Sequence, residues 1–152
     1  MPRGVECRSG GASGDYKMVF SFSNNLTSVA SASVTGGCGS VVSGTSGIGP
    51  NPNQYTANLT GVTCIDYVTV TLNNVNDSAG NHSDTVPGPE MGVLVGDTTG
   101  NGSVNASDIS QTKSKSGLAV DSTNFRTDVT VNGSINSSDI STVKSKSGTA
   151  LP

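Results

Sequence analysis

Tryptophan is absent from this chain, and phenylalanine and tyrosine occur three times each. That scarcity removes the stacking surfaces on which many sugar-binding sites are built. One histidine, His82, and two glutamates, Glu6 and Glu90, leave little material for acid–base catalysis. A Ser/His/Asp set can be assembled on paper from Ser83, His82 and Asp84, but residues adjacent in sequence rarely converge as a triad requires. Charged residues make up 12% and the net charge is −3, so no basic patch speaks for nucleic acid. No apolar run approaches the roughly twenty residues that cross a bilayer. The start, Met1-Pro-Arg-Gly, has no hydrophobic signal core, so an extracellular chain of this sequence is expected to be a fragment or processed form. The composition reads as a non-enzyme.

Cysteine is sparse as well, with Cys7, Cys38 and Cys64. Secreted chains favour pairs, which makes one bridge and one spare thiol the simple count. Cys38 in Gly-Gly-Cys-Gly and Cys64 in Val-Thr-Cys-Ile both lie beside expected strand ends and form the candidate disulfide. No histidine is near any of the three, so a catalytic thiol is not expected.

What the chain does hold is serine, threonine, asparagine and glycine around short alternating apolar runs. Tyr16, Met18, Phe20 and Phe22 follow the period of two that marks a half-buried strand. Tyr55, Ala57 and Leu59 repeat it, and Val68, Val70 and Leu72 give the cleanest case. Weaker strands are expected at Ser28–Val34, Gly39–Ser43 and Met91–Val95. Turn clusters separate them, among them Gly47 to Asn53 and Asn76 to Gly80. Six or seven short strands predict an Ig-like β-sandwich over residues 1–95. The stretch Asn76-Asp-Ser-Ala-Gly-Asn81 before a final strand resembles bacterial Ig-like surface modules.

The last third carries a duplication. Asp97-Thr-Thr-Gly-Asn-Gly-Ser-Val-Asn-Ala-Ser-Asp108 recurs thirty-one residues later as Asp128-Val-Thr-Val-Asn-Gly-Ser-Ile-Asn-Ser-Ser-Asp139, and both tails close on Lys-Ser-Lys-Ser-Gly. An EF-type loop offers oxygens to Ca²⁺ from positions 1, 3, 5, 7, 9 and 12. Those positions are Asp97, Thr99, Asn101, the carbonyl of Ser103, Asn105 through a water, and Asp108. In the second copy they are Asp128, Thr130, Asn132, the carbonyl of Ser134, Asn136 and Asp139. Gly102 and Gly133 sit where the loop turns sharply. Val104 and Ile135 at position 8 are apolar, as expected if the loops pair back to back over a small core. No helix pattern enters either loop; an amphipathic segment leaves each, with Ile109, Thr112 and Lys113 in one and Ile140, Val143 and Lys144 in the other.

Over Val95 to Pro152 the sequence resembles the type I dockerins, whose two loop-plus-helix repeats carry Asp-x-Asn-x-Asp-Gly-x-apolar-Asn-x-x-Asp. This chain departs from that pattern at position 3, where Thr99 and Thr130 replace the usual Asn, and at position 5, where Asn101 and Asn132 replace Asp. Each loop then brings two carboxylates to one Ca²⁺, which points to two weak sites, roughly 10⁻⁴–10⁻³ M. The resemblance implies recognition of a cohesin partner through the residues before position 12 and the face of the following helix. The matching positions are Ala106, Ser107, Lys113 and Ser114, and Ser137, Ser138, Lys144 and Ser145.

The expected organisation is therefore mostly β with a small α part: a sandwich over residues 1–95 and a dockerin-like pair of calcium loop–helix motifs over residues 96–152. The expected final strand runs into Asp97 after Gly96 alone, which reads as a stiff junction. Three functions fit a non-catalytic protein outside or on the surface of the cell. The one that the stiff junction favours is a structural subunit of a surface polymer or fibre, with the dockerin-like part of one copy held head-to-tail by the β-domain of the next. The second is a docking module for a cohesin-like partner. A carbohydrate-binding module is the third, and the lack of aromatics counts against it.

Overall fold

The computed structural model describes residues 3–152, mostly β with two helices. They group into two compact units, one of residues 12–64 and 68–90, the other of residues 3–11, 65–67 and 91–152.

The first unit is built from strands. β2 (Tyr16–Ser21) runs antiparallel to β6 (Gln54–Thr60), which also pairs with the short β4 (Ser40–Val41) and β5 (Gly47–Ile48). A second set is ordered β3 (Leu26–Gly36), β7 (Asp66–Asp77) and β8 (His82–Pro87), all antiparallel. Alternation decides which face is buried: Tyr55, Ala57 and Leu59 of β6 and Val68, Val70 and Leu72 of β7 lie inside, while Thr56, Asn58 and Thr69 are only half-buried. These pairings give two antiparallel sheets; they do not by themselves make the unit Ig-like.

Cys38 and Cys64 are joined, closing a loop with a sequence separation of 26. A loop of that length restricts the unfolded chain by about 3.5 kcal/mol in the chain-entropy account. Cys38→Ser is accordingly expected to lower the stability of this unit by roughly 2–4 kcal/mol, read as an earlier urea midpoint by circular dichroism.

The turn between β7 and β8 is organised by Asp77, whose carboxylate accepts hydrogen bonds from Asn24 Nδ2, Ala79 N–H, Asn81 N–H and Asn81 Nδ2. These bonds, those of Asn81 foremost, hold its carboxyl at about 2. A lowered folded value means that this stabilisation is fully present above the ordinary carboxylate range and fades as pH falls towards 2. His82 opens β8. Its ring bonds Asn76 Oδ1 and Asp84 Oδ1, both at 2.9 Å. Ser83 follows on the strand and points to the other face, so the paper triad does not assemble.

The second unit departs from the division expected at residue 95. β1 (Gly4–Glu6) lies parallel to β9 (Met91–Val93). The segment continues into the loops: Gly96 N–H donates to Cys7 O (2.9 Å) and Ser9 N–H to Val129 O (2.7 Å). Leu94, Val104, Val129 and Val143 form the unit's core, with Val5, Val95, Ile109 and Leu151 packed against it. The short passage from β9 to Asp97 thus lies within one unit and carries no information about stiffness between two. Cys7 is buried; desolvation pushes its thiol up to about 12, so it stays protonated and donates to Arg126 O at 3.3 Å.

Candidate metal and docking site

Each loop ends in a helix, α1 (Ala106–Lys115) and α2 (Ser137–Lys146). Asn105 and Asn136 are their N-caps, accepting from Ser107 N–H and Ser138 N–H at 2.8 Å. Asp108 and Asp139 reach back to the cap N–H groups, completing a capping box in both repeats. The carboxylate at position 12 is therefore placed by helix capping. Lys113, Lys115, Lys144 and Lys146 fall in the last turns, where the helix dipole favours positive charge.

At the other end of loop 97–108, Asp97 Oδ1 accepts from Gly100 N–H (2.8 Å) and Asn101 N–H (3.1 Å), and Oδ2 from Gly102 N–H (2.8 Å). Asp108 Oδ1 accepts from both the N–H and the hydroxyl of Thr99, at 2.9 Å. In loop 128–139, Asp128 accepts from Asn132 N–H (3.1 Å) and Gly133 N–H (3.0 Å), and Asp139 from the N–H and hydroxyl of Thr130 at 2.9 Å. Gly102 and Gly133 take φ of +84° and +82°, the left-handed turn that brings their N–H groups onto the carboxylates. Asn101 and Asn132 use their Oδ1 atoms on Ser103 N–H and Ser134 N–H.

The loops do not pair back to back. Ser103 bridges Ala150, and Ser134 bridges Ala119. Val104 exchanges backbone bonds with Gly148 and Thr149, while Ile135 O receives Gly117 N–H. Each loop is thus held by the tail of the other repeat. Position 8 is apolar because Val104 and Ile135 are buried beside those crossed tails, a geometry that reads identically to direct pairing in the sequence.

The donor set fits a hard cation. Asp97, Asp108 and Asp139 have no exposed surface and Asp128 only 5%. Two desolvated carboxylates flank each loop, and the one proton of the Thr99 hydroxyl cannot serve Asp97 and Asp108 together. Thr99 Oγ1 stands 2.9 Å from Asp108 Oδ1 and 3.3 Å from Asp97 Oδ1, spacings natural to neighbouring oxygens around Ca²⁺. No group of three or more His, Cys, Asp or Glu side chains gathers among the described residues, so any further ligands in these loops are neutral oxygens.

The family comparison adds the decisive observation. Residues 95–146 match the Dockerin type I domain. The match supports a dockerin domain in the C-terminal part of the chain, and dockerin type I domains bind calcium in general. No curated protein and no solved structure matches the chain. A dockerin domain is a non-catalytic docking module for cohesin-like partners and occurs in extracellular or cell-surface proteins. No helix among the described residues is long and apolar enough to cross a membrane.

The eight residues matching the dockerin recognition positions, Ala106, Ser107, Lys113, Ser114, Ser137, Ser138, Lys144 and Ser145, are all exposed. Asp108, Thr112, Asp139 and Val143 form the inward faces of the two helices. Sequence reasoning missed Arg126. Its guanidinium donates to Val5 O (2.8 Å), Asp97 O (2.9 Å) and Thr98 O (3.0 Å), tying β1 to the first loop. The available signal was an asymmetry: the matching position in the other repeat is Val95.

Proposed function

We propose that this chain is a non-catalytic, extracellular or surface-attached protein whose C-terminal unit docks on a cohesin-like domain of another protein. The observation that carries this reading is the pair of exposed, near-identical helix faces, each beginning at a loop with two buried carboxylates. Calcium is held by Asp97, Thr99, Asn101, Ser103 and Asp108 in one loop and by Asp128, Thr130, Asn132, Ser134 and Asp139 in the other. Asn105 and Asn136 contribute through water while they cap the helices. The metal supplies positive charge that neutralises the buried carboxylates. The chain's own residues then fix where each helix starts and which side chains it presents.

The partner contact falls on Ala106, Ser107, Lys113 and Ser114, or on Ser137, Ser138, Lys144 and Ser145. Because the faces are near-duplicates, Lys113→Glu or Lys144→Glu alone is expected to leave binding to purified cohesin domains within a few-fold. The double variant is expected to lose about tenfold or more, roughly 1.4 kcal/mol by calorimetry. Equal binding by the double variant would remove these faces from the contact.

A fibre of identical subunits is the second reading, and one feature favours it. β3 ends its sheet, and its eleven residues hold neither the charge nor the proline that discourages pairing along an edge. Light scattering of the purified chain in calcium and then in chelator separates the two. A monomer in both supports docking to a different protein; calcium-dependent polymers support the fibre.

A further inference from the structure

The duplication supplies an internal control, because two loops of nearly one sequence sit in one unit and differ at few places. In loop 97–108, position 4 is Gly100, whose φ of +74° costs glycine little, and its N–H reaches Asp97 Oδ1 at 2.8 Å. In loop 128–139, position 4 is Val131, at φ +56° with 55% of its surface exposed. A β-branched residue in the left-handed region is strained. Its N–H goes to the Asp128 backbone carbonyl at 3.2 Å instead of the carboxylate. Asp97 thus has three backbone donors and Asp128 has two.

The second difference is Arg126. Its three hydrogen bonds fix the carbonyls of Asp97 and Thr98 and couple them to Val5. A Cβ on Gly100 would stand 3.4 Å from Arg126 Nη2, an ordinary contact, so the left-handed φ and not the guanidinium is what calls for glycine there. Loop 128–139 has Val95 at the matching place, a core residue with nothing to donate from its side chain.

We infer that Arg126 is a positioning residue that keeps loop 97–108 in its metal-ready shape before any cation arrives, whereas loop 128–139 is ordered by the cation itself. The inference rests on the calcium reading for the second loop alone. It concerns order, not affinity: the positive charge of Arg126 opposes a nearby cation, while the strain at Val131 works against the other loop. A docking unit of this design keeps α1 presentable when calcium is low and gains α2 when calcium rises.

Amide hydrogen exchange by NMR on the full chain tests it. In chelator, Gly102 N–H is expected to exchange about tenfold or more slowly than Gly133 N–H. Arg126→Gln should accelerate Gly102 and leave Gly133 unchanged; Val131→Gly should slow Gly133. Calcium should then protect Gly133 of the unaltered chain more than Gly102. Equal exchange of the two glycines in chelator overturns the inference, and so does an unchanged Gly102 in a folded Arg126→Gln chain. If Arg126→Gln does not fold, Val131→Gly decides, and an unmoved Gly133 is the overturning result. If calcium alters neither glycine, the calcium reading of the second loop fails while the comparison in chelator still judges the clamp.

Discussion

Replacing Asp108 by alanine is expected to unfold the first loop–helix repeat. The side chain is wholly buried and accepts the N–H and hydroxyl of Thr99 and the N–H of Asn105. Removing it takes the acceptor from the N–H groups of Thr99 and Asn105, while the Thr99 hydroxyl can turn to Asp97 Oδ1 at 3.3 Å; a donor left unpaired costs about 1–3 kcal/mol, less where water reaches it as at Thr99. It also deletes half of the capping box, worth about 1 kcal/mol. These terms share groups and do not add, so the expected loss is on the order of 3–5 kcal/mol. A urea titration followed by NMR reads it as early loss of the signals from Thr99 to Lys115. Ser107→Ala, one residue away on the exposed face, is the control and should stay within about 0.5 kcal/mol. Similar midpoints for the two variants would mean that position 12 does not organise the repeat.

Truncating Leu72 to alanine carries the largest expected cost in the β unit. The side chain is fully buried, with Ala32 across from it on β3 and Val86 on β8. Few small groups can move into the space, because the flanking partners belong to two hydrogen-bonded strands. A loss of about 2–5 kcal/mol follows from lost burial and the cavity left behind. Val19→Ala removes apolar atoms from an exposed position of β2 and should change stability by less than about 0.5 kcal/mol. Circular dichroism in urea measures both. A Leu72→Ala midpoint matching that of Val19→Ala would contradict the placement of β7 at the centre of its sheet.

The strands that could be read beforehand are those whose side chains alternate. Tyr55 to Leu59 and Val68 to Leu72 carry the period of two because one face of each is buried, and Tyr16 to Phe20 because one face is half-buried and the other exposed; burial writes itself into composition. β1 is three residues long and pairs in parallel with a segment far away in the chain, so no local pattern marks it. β8 was hidden for a different reason. His82-Ser-Asp-Thr is polar on both sides because those residues are exposed, and an exposed edge strand looks like a turn.

The loops were legible through spacing, since a cation demands oxygens at fixed steps and a tight turn demands glycine. Their partners were not. The crossing of each loop onto the other repeat's tail depends on Gly117, Gly148 and Thr149, which carry backbone bonds and no side-chain signature. Arg126 was obscured in the same way. It serves backbone carbonyls of Val5, Asp97 and Thr98, groups that every residue possesses. The short passage after Gly96 could not be placed from the sequence alone, because the pairing that puts β9 in the unit of the loops is with the distant β1.

Calorimetric titration of calcium into the chelator-stripped chain bears most directly on the claim that paired carboxylates in two loops build a metal-organised docking unit. The account predicts saturable binding of two ions in the range of roughly 10⁻⁴–10⁻³ M, with protection of the second loop appearing as the sites fill. Absence of binding across that range, with both helices already formed in chelator, would contradict it.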